Sequence, residues 1–202
     1  MTTQEDKPFA PSAQRNQQVI GDVLSMVVED KAMTVLEMGS GTGQHAVYFA
    51  RRFPQLTWHP ADLAEQLPGI QKWLDDANLP NLKAPHRHEV GADDWPAVQA
   101  DLVFTANTLH IMPIGLVARW VEGLGRHLSG GAMVMIYGPF KYQGDFTTES
   151  NAEFDQWLKA ADPARGIRDY EQLNHWLNQA GLELVVDISM PANNQLLLYQ
   201  RT

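Results

Sequence analysis

The run Val35-Leu36-Glu37-Met38-Gly39-Ser40-Gly41-Thr42-Gly43 limits what this chain can fold into more than any other segment. Two apolar residues and an acid lead into three glycines at alternate positions, and a helical apolar pattern follows. Glycines at this spacing let the backbone turn sharply and come close to a ligand that a Cβ would exclude. The helix that follows then presents unpaired N–H groups at its N-terminus. A strand, a glycine turn and a helix in that order are the opening unit of an open, mostly parallel α/β sheet.

The rest of the chain continues the alternation. Ser12 to Glu29 places Val19, Ile20, Val23, Leu24 and Val27 at helical spacing, which predicts a helix with one buried face. Thr34–Met38, Leu56–Ala61, His86–Val90, Asp101–Ala106 and Ala132–Tyr137 read as strands. Helices are expected over 42–52, 63–77 and 114–128, with Pro68 in a first turn, where its missing N–H does no harm. Each crossover is long enough for parallel pairing, so the pattern predicts a doubly wound sheet. The last third departs from that rhythm. Helices are expected over 151–161 and from Asp169, where Asp169 and Gln172 are spaced as a capping box and Gly181 is the stop. Leu182–Ser189 and Gln195–Gln200 are joined only by Met190-Pro191-Ala192-Asn193-Asn194, which forces an antiparallel hairpin. The expected architecture is one α/β domain over 1–202, Rossmann-like, with seven strands and an antiparallel C-terminal strand. Residues 1–11 read as a flexible tail, 12–30 as a helix over the site, and 140–181 as a helical insertion before the last two strands.

Bulk properties narrow the function. With 202 residues and 44% apolar content the chain supports one full core. A formal charge of −9 without a Lys/Arg cluster disfavours nucleic acid and anionic membranes. The absence of cysteine excludes disulfides, thiolate catalysis and zinc–thiolate sites. Met1 to Pro8 is polar, without the apolar core of a signal peptide, and no stretch approaches a membrane span, so a cytoplasmic location is the expectation.

The ligand of the glycine turn has two readings. Gly41-Thr42-Gly43-Gln44-His45-Ala46 fits the dinucleotide pattern G-x-G-x-x-A, and Asp62, 19 residues after Gly43, suits a ribose 2′-hydroxyl in either case. Glu37 separates them: an acid at the strand's end sits poorly beside a pyrophosphate and well beside a cation. That favours S-adenosyl-L-methionine, with its sulfonium, α-amino group and ribose hydroxyls, and the closing hairpin points the same way. An NAD-dependent oxidoreductase stays as an alternative.

The residues also carry a resemblance. From about Ser12 to Thr202 the chain resembles a class I, Rossmann-like S-adenosylmethionine-dependent methyltransferase. More narrowly, it is similar to an uncharacterised methyltransferase-like family of bacteria and animals, known as a domain of unknown function. The matching pieces are Ser12-Ala13-Gln14-Arg15-Asn16, Gly39 to Ala46, Thr57-Trp58-His59-Pro60-Ala61-Asp62, Asn107-Thr108-Leu109-His110 and Met190 to Asn194. The resemblance implies that Glu37, Gly39, Ser40, Gly41 and Gly43 line the methionine and ribose portion and that Asp62 takes the ribose hydroxyls, with S-adenosyl-L-homocysteine as the product. It puts adenine recognition at Glu89-Val90, with Asp93 a rival, and the cofactor–substrate boundary at Asn107. Arg15 would reach the cofactor carboxylate from the N-terminal helix, or else lie on that helix's polar face.

The remaining expectations concern the acceptor. Methyl transfer from a sulfonium is an in-line displacement that needs alignment and exclusion of water, and a base only where the acceptor must lose a proton. His110 is the candidate general base, its ordinary pKa suiting neutral pH, with a loop-bonded histidine as the equal alternative. His45, in a first helical turn, is expected to be held neutral by the helix dipole. Substrate walls are expected from His45, His110, Tyr137, Phe140, Asn193 and Asn194, with Tyr142 nearby. His86-Arg87-His88-Glu89 lacks a third ligand at recognised spacing, so no metal site is expected. Exocyclic-amine methyltransferases of nucleic acids and protein glutamine carry Asp/Asn-Pro-Pro-Tyr/Phe where this chain has Asn107-Thr108-Leu109-His110. With the acidic charge, that favours a small-molecule acceptor and leaves oxygen, nitrogen and sulfur open. A non-catalytic S-adenosylmethionine-binding module acting through a protein partner is the other alternative.

Overall fold

Pro11, with its fixed φ and no N–H to satisfy, opens the first helix, α1 (Pro11–Val28), which buries Ala13, Asn16, Ile20, Val23, Leu24 and Val28 along one face. In this computed structural model residues 7–92 and 94–202 are described. The chain then alternates through β1 (Met33–Met38), α2 (Gln44–Arg52), β2 (Leu56–Asp62), α3 (Leu67–Ala77), β3 (His86–Arg87) and β4 (Leu102–Ala106). It continues through α4 (Ile114–His127), β5 (Met133–Gly138), β6 (Phe140–Tyr142), β7 (Asp145–Phe146), α5 (Glu149–Ala161), β8 (Arg168–Asp169), α6 (Tyr170–Gln179), β9 (Leu182–Met190) and β10 (Asn194–Arg201). The seven-stranded sheet has the order β3-β2-β1-β4-β5-β10-β9.

The chain divides into two compact units, one through Phe104 and one from Thr105. In the first, β1 pairs in parallel with both β2 and β4, placing Val35 opposite Trp58 and Leu102. β4 and the second half of β1 are buried almost throughout, as parallel strands covered on both faces are, whereas β2 alternates buried positions with half-buried Thr57 and His59. Phe49 of α2 packs on Trp58 and Phe104, with ring centroids 5.3 and 5.5 Å away, and fastens the helix to the strands.

In the second unit β10 is antiparallel to both β5 and β9, so the expected hairpin is present and its C-terminal strand lies inside the sheet. Asp169 caps α6 by accepting from the Gln172 N–H. Three expectations need correction. The third strand is two residues long, because the polar stretch after Arg87 has no apolar alternation to extend it. The helix expected from Leu63 begins at Leu67, after a turn closed by Gln66 N–H on the Leu63 carbonyl. The segment 140–181 is not wholly helical: it includes a three-stranded sheet of order β7-β6-β8, whose two- and three-residue strands are too short for a period to show. Among the described residues no helix is long and apolar enough to cross a membrane.

Candidate functional site

β1 ends at Met38, and Gly39, Gly41 and Gly43 follow with φ of 77°, 57° and 88°, a region L side chains avoid. Two of them differ in purpose. A Cβ on Gly43 would lie 3.2 Å from the Ile70 Cα, so this glycine lets the loop pack on α3. A Cβ on Gly41 would meet nothing within 4 Å, so this glycine faces open space, and α2 begins beside it without a side-chain cap. Ser40 is engaged elsewhere. Its hydroxyl accepts from the Ala61 N–H and donates to the Glu37 carbonyl, and its own N–H donates to the Ala61 carbonyl. Ser40 therefore stitches β1 to β2.

Asp62 closes the loop from the other side. Gly41 N–H donates to Oδ2 at 2.6 Å and Leu63 N–H to Oδ1 at 2.7 Å. Burial raises this carboxyl's pKa, and the two backbone bonds oppose that shift. Each oxygen keeps lone-pair capacity for a further donor, which is what a ribose diol supplies.

Glu37 differs from the simple picture of an exposed anion. It is 2% exposed, it accepts from Trp58 Nε1–H at 2.8 Å, and burial pushes its pKa up to about 8 against the pull of Trp58 and Ser40. The carboxyl is thus mostly protonated at neutral pH. Its folded pKa lies above the unfolded 4.5, so the folded state retains a proton that the unfolded state releases between those values. Stability should therefore fall as pH rises from about 4.5 towards 8 and then level off. Glu37→Gln keeps an acceptor for Trp58 and cannot ionise, so its melting temperature should gain on the wild type from pH 5 to pH 9. Parallel melting curves across that range would refute the assignment.

α1 is fastened to the same loop. Gln44 Oε1 accepts from Ala10 N–H at 2.6 Å and from Thr42 Oγ1–H at 3.0 Å, and Asn16 Oδ1 lies 2.7 Å from His45 Nε2. His45 stacks on Phe49 and meets the edge of Phe104. It is neutral as expected, but burial is what lowers its pKa to about 4, opposed by a backbone contact with Ala13. Its ring is enclosed, so it anchors α1 instead of walling an acceptor site. Arg15, the neighbour of Asn16, is exposed on α1. Glu89 is exposed and Val90 half-buried beyond the end of β3, and Asp93 lies outside the described residues.

In the second unit Asn107 has φ of 56°, and its N–H donates to the Tyr137 carbonyl at 2.8 Å. Asn107 Oδ1 and His110 Nδ1 each lie 3.8 Å from the place where a Cβ on Gly138 would stand, so both border this bare glycine. Burial first, and then the Arg168 charge, lowers the His110 pKa to about 4. The ring is consequently neutral at pH 7 and able to accept a proton. Tyr137 and Phe140 are interior side chains that present no open ring. Tyr142 O–H donates to Asp187 and its ring stacks on Tyr170, which ties this segment down. Asn193, exposed with φ of 58°, accepts from Asn151 Nδ2 through its carbonyl, while Asn194 Nδ2 donates to the Pro191 and Ala192 carbonyls and closes its own turn.

Sequence reasoning missed the group that holds the His110 loop. Arg168 is buried and donates through Nε to the Leu109 carbonyl (2.9 Å) and through Nη2 to the Met112 (2.5 Å) and Ala164 (3.2 Å) carbonyls. Gly166 N–H donates to the His110 carbonyl, and buried Asp155 accepts from Ile167 N–H and pairs with Lys159 at 2.6 Å. No spacing rule links Arg168 to Leu109, 59 residues earlier.

Strand order, antiparallel last strand and glycine loop together define the Rossmann-like fold of S-adenosylmethionine-dependent methyltransferases. The chain belongs to the family described as protein of unknown function DUF938, which it matches over residues 7–201. It is 30% identical over 105 residues to the O-methyltransferase aoiF of Aspergillus oryzae, a match covering 50% of this chain and 25% of that protein. Among solved structures it is similar to the S-adenosylmethionine-dependent methyltransferase SibL, with a TM-score of 0.77 and 21% identity over 94% of this chain and 55% of that one. A putative O-methyltransferase from Nostoc punctiforme aligns with a TM-score of 0.80 and 16% identity over 95% of this chain and 57% of that one. The chain thus spans a quarter of the curated relative and little more than half of these two structures.

Proposed function

We propose that this protein transfers a methyl group from S-adenosyl-L-methionine to the oxygen of a small-molecule acceptor. The observation that carries the reading is the open approach at Gly41 beside the Asp62 carboxylate: a cradle without side chains, bordered by an acceptor pair for a ribose. The preference for oxygen rests on the O-methyltransferase relatives. When bound, the donor supplies an electrophilic methyl group on a sulfonium. In this reading Asp62 holds the ribose hydroxyls, the loop N–H groups and the first turn of α2 approach the methionine portion, and Arg15 reaches its carboxylate. Asn107 orients the acceptor. His110, neutral at pH 7 and beside Asn107 at Gly138, is the candidate to accept the proton that an acceptor hydroxyl loses. The sulfonium would also supply the leaving group, its sulfur keeping the electron pair of the carbon–sulfur bond, so the chain would have to supply alignment, exclusion of water and a proton acceptor.

Calorimetry tests the donor first. S-adenosylhomocysteine should bind the full chain and NAD should not. Binding of NAD in preference would return the glycine loop to the dinucleotide reading. Labelled methyl transfer into a metabolite extract should then follow, and donor binding without turnover across broad extracts would favour a non-catalytic module.

A further inference from the structure

Within the first unit, residues far apart in the chain form a closed circuit around the glycine loop. Ahead of α1 the strap Lys7–Ala10 runs along α3: Lys7 pairs with Asp76 and lies over the Trp73 ring, 4.4 Å from its centroid. Trp73 Nε1–H donates to the Pro8 carbonyl at 2.8 Å. Pro8 sits against Gly69, where a Cβ would stand 2.7 Å from the proline Cγ, so this glycine makes room in a helix that would otherwise favour alanine. The next residue of α3, Ile70, is the one on which Gly43 packs. Gln44 closes the circuit. It is buried, and its Oε1 accepts from Ala10 N–H of the strap and from Thr42 Oγ1–H of the loop. One helix thus bears strap and loop on adjacent residues, and one amide oxygen joins the two.

We propose that Gln44 is a positioning residue for the donor site, through which the strap Lys7–Ala10, latched on α3, sets the glycine loop in its binding form. This role presupposes the donor reading of that loop and adds to it the group that orders the loop. Thr42 lies between Gly41 and Gly43, whose left-handed backbones have the most conformational freedom to lose when a ligand fixes them. A loop ordered beforehand does not lose that freedom at binding, which is how preorganisation raises affinity. Gln44 orients Thr42 twice, since Oγ1 donates to Gln44 Oε1 at 3.0 Å and accepts from Gln44 N–H at 3.4 Å. The Ala10 N–H, at 2.6 Å, holds that same Oε1 in place. The strap itself is latched by an ion pair, a cation–ring contact and one hydrogen bond near the surface. Each is weak alone, so the strap can be released without unfolding the unit. Strap and donor are then linked: closing one favours the other, by the same factor in both directions.

A reversible lock tests this, because the chain contains no cysteine. A Cβ on Gly69 would stand 3.8 Å from the Pro8 Cβ, a disulfide spacing, so Pro8→Cys with Gly69→Cys joins strap to α3 when oxidised. Reduced, this double variant lacks the proline–glycine contact and should bind S-adenosylhomocysteine about three- to tenfold more weakly than wild type in calorimetry. Oxidised, it should recover the wild-type affinity. Hydrogen exchange of the ligand-free protein is the second readout. The Gly41 and Gly43 amides, bonded to Asp62 and to the Ser40 carbonyl, should exchange at least about fivefold more slowly in the oxidised form. Gln44→Leu in the same background should remove both responses while the disulfide still forms. Because two redox forms of one protein are compared, a folding defect cannot imitate the effect. Equal affinity and equal exchange in the two forms would overturn the inference, as would a full response in Gln44→Leu. If no form binds S-adenosylhomocysteine while loop exchange still follows oxidation, the donor reading falls and the strap's hold on the loop stands.

Discussion

Arg168→Met should lower the unfolding free energy by about 3–5 kcal/mol, the range seen when one partner of a buried charged network is removed. In a chain of this length that corresponds to a fall in melting temperature of about 10 °C. Methionine fills much of the arginine's volume, so the loss is polar. The carbonyls of Leu109, Met112 and Ala164 lose their guanidinium donors, and the buried Asp155 carboxylate loses a neighbouring positive charge. Arg168→Lys should fall between the two. Lysine keeps the charge, but a single ammonium cannot span the Leu109 carbonyl on one side and the Met112 and Ala164 carbonyls on the other as a planar fork does. A second readout separates this role from bulk stability. Arg168 helps to depress the His110 pKa, so the methionine variant should titrate His110 nearer its ordinary 6.5 by NMR, while the lysine variant stays low. Denaturant midpoints and a His110 titration that both match wild type would show that the guanidinium does not hold this loop.

The Arg168 clamp also marks where a sequence stops being informative. The central strands β1, β4 and β5 were legible because each is a mostly apolar run bounded by turns, and the glycine loop because its three left-handed positions tolerate little else. The closing hairpin was legible from the length of its connection. What escaped depends on distant partners. Glu37 reads as an anion beside a ligand until Trp58, on the neighbouring strand, encloses it and shifts its proton affinity. His45 reads as a ligand-facing first-turn residue until Asn16 of α1 and two aromatic rings close over it. The Phe140–Tyr142 strand and its partners escaped because two or three residues cannot display a period. In each case chemical type was evident from the residue, and a deciding part of its environment came from a segment distant in the chain.

Asp62→Ala should have the largest effect on ligand binding. The side chain holds the Gly41 and Leu63 amides and, in the proposed function, both ribose hydroxyls, so truncation removes the loop's pin and the diol's acceptor together. Hydrogen bonds to a charged group contribute about 1.5–3 kcal/mol each. Loss of two towards the ligand predicts S-adenosylhomocysteine binding weaker by about 100-fold or more. Asp62→Asn keeps one acceptor oxygen and turns an amide donor towards the other contact, so a loss of about tenfold is expected. The raised pKa of this carboxyl gives the pH dependence its sign: affinity should fall on acidification as the carboxylate gains a proton, and the alanine variant should lack that fall. A cycle then isolates the ribose contact from the loop pin. An S-adenosylhomocysteine analogue lacking the 2′-hydroxyl should bind the wild type more weakly than the parent ligand does, and Asp62→Ala should no longer distinguish the two. If the alanine variant still discriminates fully between parent and deoxy analogue, the ribose is held elsewhere and Asp62 serves only to shape the glycine loop.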